Sequence, residues 1–445
     1  MNETIYALAS GIGRAGVAIF RLSGPEAGPT LTSLTGADLP PPRVAVRIKI
    51  ADPESGEQID DGLALWFPAP RSFTGEDVAE LHLHGGTATR ERVLVLLGNQ
   101  SGLRLAMPGE FTRRAVLAGK MDLTAAEGLI DLIDAETEAQ RRQALRQSQG
   151  ALGRLYDSWR DRLLPSLAHL EAAIDFPDED LPADLDSASA IQLAEVMDEI
   201  SDHLRDNFRG ERLRDGLKIT IVGPPNVGKS SLLNWLAQKD AAIVSAGAGT
   251  TRDVIEVHMN MDGYPVVLAD TAGIRSTAST VEAIGVERAF ERAQTSDLKI
   301  AVLAADDLGA LSQMEEIIDS ETICVLNKID LANECESAAD IFPQGVDSYD
   351  ISVKTEVGLE ALIGGISKAV ANQIGGGDAP AITRQRHREA LQSCRDALER
   401  GVAQKDVELR AEDMRLAVRS LGNITGLVDV EDLLDVIFRD FCIGK

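Results

Sequence analysis

Residues 219–231 read ITIVGPPNVGKSS. A β-branched run (Ile219, Thr220, Ile221, Val222) meets Gly223, and Gly228-Lys229-Ser230 then opens the apolar segment 232–236. The pattern G-x-x-x-x-G-K-S between a predicted strand and a predicted helix commits this part of the chain to a phosphate-binding loop in an α/β domain. Backbone N–H groups along Asn226, Val227, Gly228, Lys229, Ser230 and Ser231 can curl around phosphates, helped by the field of the helix N-terminus. Lys229 reaches the β/γ oxygens, and the Ser230 hydroxyl is placed for Mg²⁺.

Three further nucleotide motifs follow in order. Residues 245–253 form a small-residue loop with a Thr pair, Thr250 and Thr251. A Thr here completes the Mg²⁺ shell and closes over the γ-phosphate, a role that falls to Thr251. Residues 254–261 and 264–270 predict a hairpin across Asp262-Gly263, ending in Asp270-Thr271-Ala272-Gly273. Asp270 would hold Mg²⁺ through its waters, and the Gly273 N–H would meet the γ-phosphate. Asn327-Lys328-Ile329-Asp330 follows the predicted strand 322–326. A carboxylate at Asp330 accepts from guanine N1–H and the 2-amino group, donors that adenine lacks, a difference worth up to ~10⁴-fold. Ser352-Val353-Lys354 suits the loop behind the base. These motifs predict GTP.

The hydrolytic groups depart from the commonest pattern. Ile274 stands directly after Gly273, where many GTPases carry a water-orienting Gln. Glu282 lies ahead of the predicted helix 284–295, either as an acid complementing the helix dipole or as the group acting on water. No Arg finger is evident in cis. Asn226 and the carbonyls of loop 245–250 could instead cage a monovalent cation, K⁺, near the β- and γ-phosphates.

At 445 residues the chain is too long for one core. Its 44 basic against 71 acidic residues give a net charge of −27, so nucleic acid must meet a local basic patch or be presented by a partner. Scattered cysteines, a first segment without basic or long apolar character, and no membrane-length apolar run together predict the cytosol.

Residues 1–119 suggest a compact α+β domain. Gly11-Ile12-Gly13-Arg14-Ala15-Gly16 matches G-x-G-x-x-G, but the strand-like run 17–22 follows where a dinucleotide site needs a helix. Strands are expected at 44–50 and 62–67, and Glu80, His82 and His84 share one face of a third. A cleft-lining face suits them better than a metal site, which would want another ligand nearby. Residues 87–97 suit a helix. Residues 120–214 look helical: one segment carries Leu129, Ile130 and Ile133, and a longer one carries Leu145, Leu152, Leu155, Trp159 and Leu163. An acidic Pro loop at 176–182 precedes a stripe of Leu193, Val196, Ile200 and Leu204. The nucleotide domain spans 215–374, and Gly375-Gly376-Gly377-Asp378 is a linker.

Three more helical segments are expected in 375–445, marked by Ala390/Leu391/Cys394/Leu398, by Leu409/Met414/Leu416/Val418 and by Leu433/Leu434/Ile437/Phe438. Pairing them with the helices of 120–214 would make the GTPase an insertion in one helical domain. The segment FCIGK at 441–445 is a poor prenylation box, and a buried Cys442 at a helix end is the plainer alternative.

Together these residues resemble the MnmE (TrmE) family, tRNA wobble-uridine modification GTPases, over nearly the whole chain. The resemblance rests on GRAGVAIFRLSGP at 13–25, FTGEDVAELHLHGG at 73–86, PGEFTRRA at 108–115, GKMDLTAAE at 119–127, the nucleotide motifs and FCIGK. It implies a multidomain α+β and α/β fold: an N-terminal α+β folate-binding-like domain, a split all-α helical domain, and an inserted Ras-like P-loop GTPase α/β domain. By the same resemblance, Arg21, Glu80, Lys120 and Lys445 contact a tetrahydrofolate derivative (5,10-methylene- or formyl-tetrahydrofolate). Asn226, Ser245, Gly247 and Thr250 form a potassium cage that pairs two G domains. Glu282 becomes the general base, and Cys442 is needed for tRNA modification. Members are homodimers that join an FAD-dependent, MnmG-like partner in a heterotetramer acting on tRNA, with no membrane involved. A ribosome-assembly or regulatory switch GTPase is the alternative; it would not need the folate-like signatures or FCIGK.

Overall fold

The computed structural model describes residues 3–176, 184–239, 256–270, 294–309, 311–331, 336–375, 379–427, 434, 437, 438 and 441–444. Two compact units emerge. One comprises Met1–Ile130, Gln147–Arg160 and Arg419–Lys445; the other comprises Asp131–Arg146 and Asp161–Val418.

The first unit is built on a six-stranded sheet. Its strands are β1 (Thr4–Leu8), β2 (Ala15–Ser23), β3 (Val46–Ala51), β4 (Gln58–Phe67), β5 (Val78–Gly85) and β6 (Leu103–Leu105), in the order β3-β4-β5-β2-β1-β6. All neighbours are antiparallel except β1 and β6. The G-x-G-x-x-G residues thus lead into strand β2 rather than a helix, as the run 17–22 predicts. Period-two alternation divides the two faces. Phe20, Leu22, Leu81 and Leu83 are buried in a core with Trp66 and with Leu31, Leu34, Val93 and Leu97 from helices α1 (Ala27–Thr35) and α2 (Thr87–Gly98). Each such side chain contributes about 1.5–3 kcal/mol. Arg21, Glu80 and His82 alternate with these residues, in the same register: Arg21 opposes Glu80, and Ile19 opposes His82.

Helix α3 (Glu110–Leu117) and helix α4 (Leu123–Asp134) follow. The steps from Leu145 to Leu163 predict one long helix, but the chain forms two, α5 (Glu138–Ser148) and α6 (Ala151–Asp175). The break falls at Gly150, whose φ of 79° lies in the left-handed region and whose N–H closes a turn onto Gln147 O. Most of the acidic Pro loop at 176–182 lies outside the described residues. The stripe through Val196 and Ile200 is buried on α7 (Asp184–Leu204).

The second unit holds another six-stranded sheet: β7 (Leu217–Val222), β8 (Glu256–Met261), β9 (Tyr264–Asp270), β10 (Leu298–Ala304), β11 (Thr322–Asn327) and β12 (Ser348–Asp350). Its order is β12-β11-β10-β7-β9-β8, parallel except for the edge hairpin β8–β9. Strands β7, β10 and β11 are buried along their lengths except for Lys218, as a parallel sheet covered on both faces requires. One core joins them to α9 (Lys229–Lys239) and α11 (Leu359–Ile374); a second, on the other face, includes Met314, Ala338 and Phe342 near the short helix α10 (Ala338–Ile341).

Helices flank this sheet in sequence. After α8 (Arg209–Asp215) the chain enters β7, and beyond α11 it returns to α12 (Gln385–Ala403), which packs along α7. The return is fixed by charge. Arg384 Nη2 lies 2.7 Å from Asp131, and the buried Arg388 pairs with Asp206 and Glu211 at 2.7 and 2.6 Å. On α13 (Val407–Thr425) the predicted stripe needs correction. Leu409 and Leu416 are 53% and 40% exposed, while Ala411, Met414, Ala417, Leu421 and Ile424 are buried. Met414 and Leu416 are two residues apart, about 200° around a helix, so they cannot share a face. Ala411 and Ala417 join Met414, Leu421 and Ile424 on the packed side, while Leu409 and Leu416 face out.

Candidate functional site

The phosphate loop begins where β7 ends. Asn226 has φ 63° and an exposed side chain, a left-handed turn that Asn tolerates better than most residues. Gly228 has φ 100°, and a Cβ there would lie 2.3 Å from Asn327 Nδ2, so only glycine fits. Lys229 Nζ donates to Gly223 O and Pro224 O at 2.8 and 2.7 Å, which holds the ammonium over the loop. Ser230 and Ser231 open α9 with exposed side chains, and Val227 is buried beneath them. This arrangement suits a polyphosphate with Mg²⁺: clustered backbone donors, one ammonium and one free-facing hydroxyl.

The base-reading motif sits at the carboxyl end of β11, the edge where α/β sheets bind ligands. Asn327 is 3% exposed and serves as a bracket. Its Nδ2 donates to Val227 O at 2.7 Å, and its Oδ1 accepts from Val353 N–H at 3.2 Å. Ser352 Oγ donates to Asp330 Oδ1 at 2.7 Å and accepts from Thr355 N–H at 3.2 Å. The buried serine therefore fixes the exposed carboxylate and leaves acceptor capacity for N–H donors of a base. Lys328, at φ 65°, directs its Nζ to Asp306 at 3.3 Å, and Lys354 is exposed. The structure thus brings together residues 226–231, 327–330 and 352–354. Sequence reasoning missed the bracketing role of Asn327, because its partners come from two distant loops.

Asp270 pairs through its backbone with Ile221 at the end of β9, beside the phosphate loop. Ser245, Gly247, Thr250, Thr251, Thr271, Ala272, Gly273 and Glu282 lie outside the described residues, as does Lys445.

A second constellation occupies the polar face of the first sheet. Arg21 Nε donates to Glu80 Oε1 at 2.9 Å, and His82 Nε2 lies 3.2 Å from Glu80 Oε2. The Arg21 guanidinium also sits 5.6 Å from the Phe73 ring centroid and 5.8 Å from that of Phe111. A cavity of about 540 Å³ opens here, lined by Arg21, Glu80, Phe67, Phe73, Arg43 and Arg71. Its size and its aromatic walls around one ion pair fit a flat, polar heterocycle. Lys120 Nζ donates to Pro70 O, on the loop that bounds this cavity. His84 turns elsewhere, to Asp60 at 2.7 Å; that hydrogen bond raises its pKa. With Asp61 these two form a cluster of two half-buried carboxylates and an exposed imidazole.

A buried ion network holds the cavity loop from below. Arg114, 2% exposed, donates to Glu76 at 2.8 Å and to Glu110 at 3.0 Å, and Ser23 Oγ donates to Glu76 at 2.7 Å. Burial alone would push the Glu110 carboxyl up. Hydrogen bonds from Arg104, the Met107 N–H and Arg114 outweigh it and hold the group down to about 2.

Segment 441–444 returns to this same unit. Phe438 and Phe441 pack with Leu123 and Ala126; Gly109 N–H donates to Cys442 O at 3.3 Å, and Ile443 bridges Pro108. Gly444, at φ 105°, approaches so closely that a Cβ would stand 2.2 Å from Leu8 O. Ala7, beside Leu8, pairs with Arg21. Cys442 is exposed, which corrects the expectation of a buried thiol: Phe441 takes the buried place and the next side chain turns outward.

The strand–loop–helix with its base-reading edge defines a P-loop guanine-nucleotide-binding protein whose chain also contains a separate α+β unit. A family profile described as "GTP-binding protein TrmE N-terminus" matches residues 4–120, and one described as "MnmE helical domain" matches residues 123–442. The chain is 53% identical over 447 residues to the tRNA modification GTPase MnmE of Parvibaculum lavamentivorans, covering 100% of both chains. It is 53% identical over 446 residues to the protein of that name from Paramagnetospirillum magneticum, and 45% over 448 to the one from Rickettsia typhi, again with 100% of each chain covered. The chain belongs to the MnmE family of tRNA modification GTPases. Among the described residues no helix is long and apolar enough to cross a membrane.

Proposed function

We propose that the protein hydrolyses GTP with Mg²⁺ and K⁺ and, in the cytoplasm, acts with an FAD-dependent partner to modify carbon 5 of the tRNA wobble uridine from a folate one-carbon unit. The observation that carries the nucleotide half is the bracket of Asn327 between Val227 and Val353, which assembles the phosphate loop and the Asp330 carboxylate into one pocket. Lys229 binds the β/γ-phosphates, Ser230 and Thr251 complete the Mg²⁺ shell, and Asp270 orients its waters. Asp330 selects guanine. Asn226, Ser245, Gly247 and Thr250 hold K⁺, which supplies positive charge between the β- and γ-phosphates. Glu282 positions and deprotonates water.

The folate half is supported by the fit of the Arg21–Glu80 cavity to a reduced pterin and by the docking of 441–444 near Arg21. Arg21, Glu80, Lys120 and Lys445 hold the pterin, and Cys442 stands exposed for the modification step. The domains on this reading are 1–119, 120–214, 215–374 and 375–445, and the working assembly is a homodimer joined to the FAD-dependent partner as a heterotetramer.

GTP turnover by the purified protein should rise strongly in KCl over NaCl, and Glu282→Ala should bind GTP yet hydrolyse it slowly. Equal turnover in the two salts removes the K⁺ site. Nucleoside mass spectrometry of tRNA from cells lacking the protein should show unmodified wobble uridine; an unchanged spectrum overturns the tRNA reading.

A further inference from the structure

The mouth of the Arg21–Glu80 cavity carries two arginines, Arg43 and Arg71. In the same unit, Arg21, Arg47, Arg92, Arg104 and Arg114 each hold a carboxylate. Arg43 and Arg71 line the cavity and are exposed, yet neither pairs with a carboxylate among the described residues. Other arginines, such as Arg14 and Arg90, also lack a carboxylate among the described residues, but Arg43 and Arg71 stand together on one cavity rim, and two unmatched guanidiniums side by side suit an anionic ligand.

Arg43 is also built into place. Three prolines, Pro40, Pro41 and Pro42, precede it and stiffen its approach. Its backbone is held in the left-handed region at φ 63°, a conformation costly for a residue with a Cβ and found where surrounding structure enforces it. Arg43 N–H donates to Trp66 O at 2.9 Å, its guanidinium sits 5.7 Å from the Phe67 ring centroid, and its Nη2 donates to Arg71 O. Arg71 N–H in turn donates to Pro68 O at 3.1 Å. The two cations thus belong to one braced rim, with Arg21 and Glu80 further along the same cavity.

We propose that Arg43 and Arg71 form an anion subsite for the tail of the ligand held at Arg21–Glu80. Resting on the reduced-pterin reading, this subsite takes the carboxylates of a glutamate tail, and gains from a tail of several γ-linked glutamates. Guanidinium–carboxylate pairing gives each contact direction as well as charge. On an exposed rim it weakens with salt.

The test titrates the full-length protein with three probes: 5-formyl-tetrahydropteroate, which has no glutamate, 5-formyltetrahydrofolate, and its triglutamate. The wild type should bind them in rising order, spanning about tenfold at low salt. In Arg43→Gln/Arg71→Gln the three affinities should fall within about threefold of each other. Arg43→Gly, which relieves the left-handed strain, should also narrow the span while leaving the thermal midpoint equal or higher. Equal wild-type affinities for all three probes overturn the subsite alone. A span that persists in the double variant also overturns it, since the arginines would then be structural. If the wild type binds none of the three, the pterin reading itself falls and the subsite with it.

Discussion

Asn327→Ala is the sharpest perturbation of the nucleotide pocket. The side chain is 3% exposed and makes two hydrogen bonds, to Val227 O at 2.7 Å and from Val353 N–H at 3.2 Å. Alanine leaves both backbone groups without their partner, at about 1–3 kcal/mol each where water cannot reach them. If only the bracketed arrangement binds nucleotide, a total of about 2–6 kcal/mol appears in the dissociation constant as a loss of ~30- to ~10⁴-fold. The assay is a fluorescent GDP titration, with GTP and IDP as competitors. Because the bracket lies below both loops, GDP and GTP should weaken alike. The GDP-to-IDP ratio, which reports the 2-amino contact at Asp330, should hold. A Kd within threefold of wild type would refute the bracket, and so would collapse of that ratio, which would place the damage at the base contact.

Two further outcomes follow from the first unit. The Glu110 carboxyl is held down to about 2, below its ordinary 4.5, so its stabilisation is fully present above pH 4.5 and is lost as pH falls toward 2; a shift of this size is worth on the order of 3 kcal/mol. Hydrogen exchange of the β1 amides, corrected for intrinsic rates, should show easier opening at pH 3 than at pH 5, and Glu110→Gln should flatten that dependence; an equal opening free energy at both pH values in the wild type would count against the network. Gly444→Val forces a Cβ to within 2.2 Å of Leu8 O, so segment 441–444 should release and become open to carboxypeptidase, with GTP turnover retained. Protection equal to wild type would mean that the close approach does not hold the segment.

What the sequence made legible and what it hid divide along a physical line. The phosphate loop, the Asp330 carboxylate and the strand after G-x-G-x-x-G are readable because each is a short run whose spacing specifies its own backbone and chemistry. The α5–α6 break and the packed side of α13 escape hydrophobic periodicity for local reasons: a helical repeat can run across a glycine turn, and small alanines share the packed side with the larger side chains. The remaining features join residues that no local rule connects. Asn327 reads as a base-selecting residue, yet its side chain spends both polar ends on Val227 and Val353. Arg21 meets Glu80 only through the register of β2 on β5, and Gly444 meets Leu8 only once the last segment returns to β1. In each case the motif supplies the reactive group, while a distant partner fixes where that group stands. The two kinds of residue should therefore fail differently. Loss of a motif residue such as Lys229 should remove a chemical function from an intact pocket; loss of a bracket such as Asn327 should leave every functional group present and weaken all of them together.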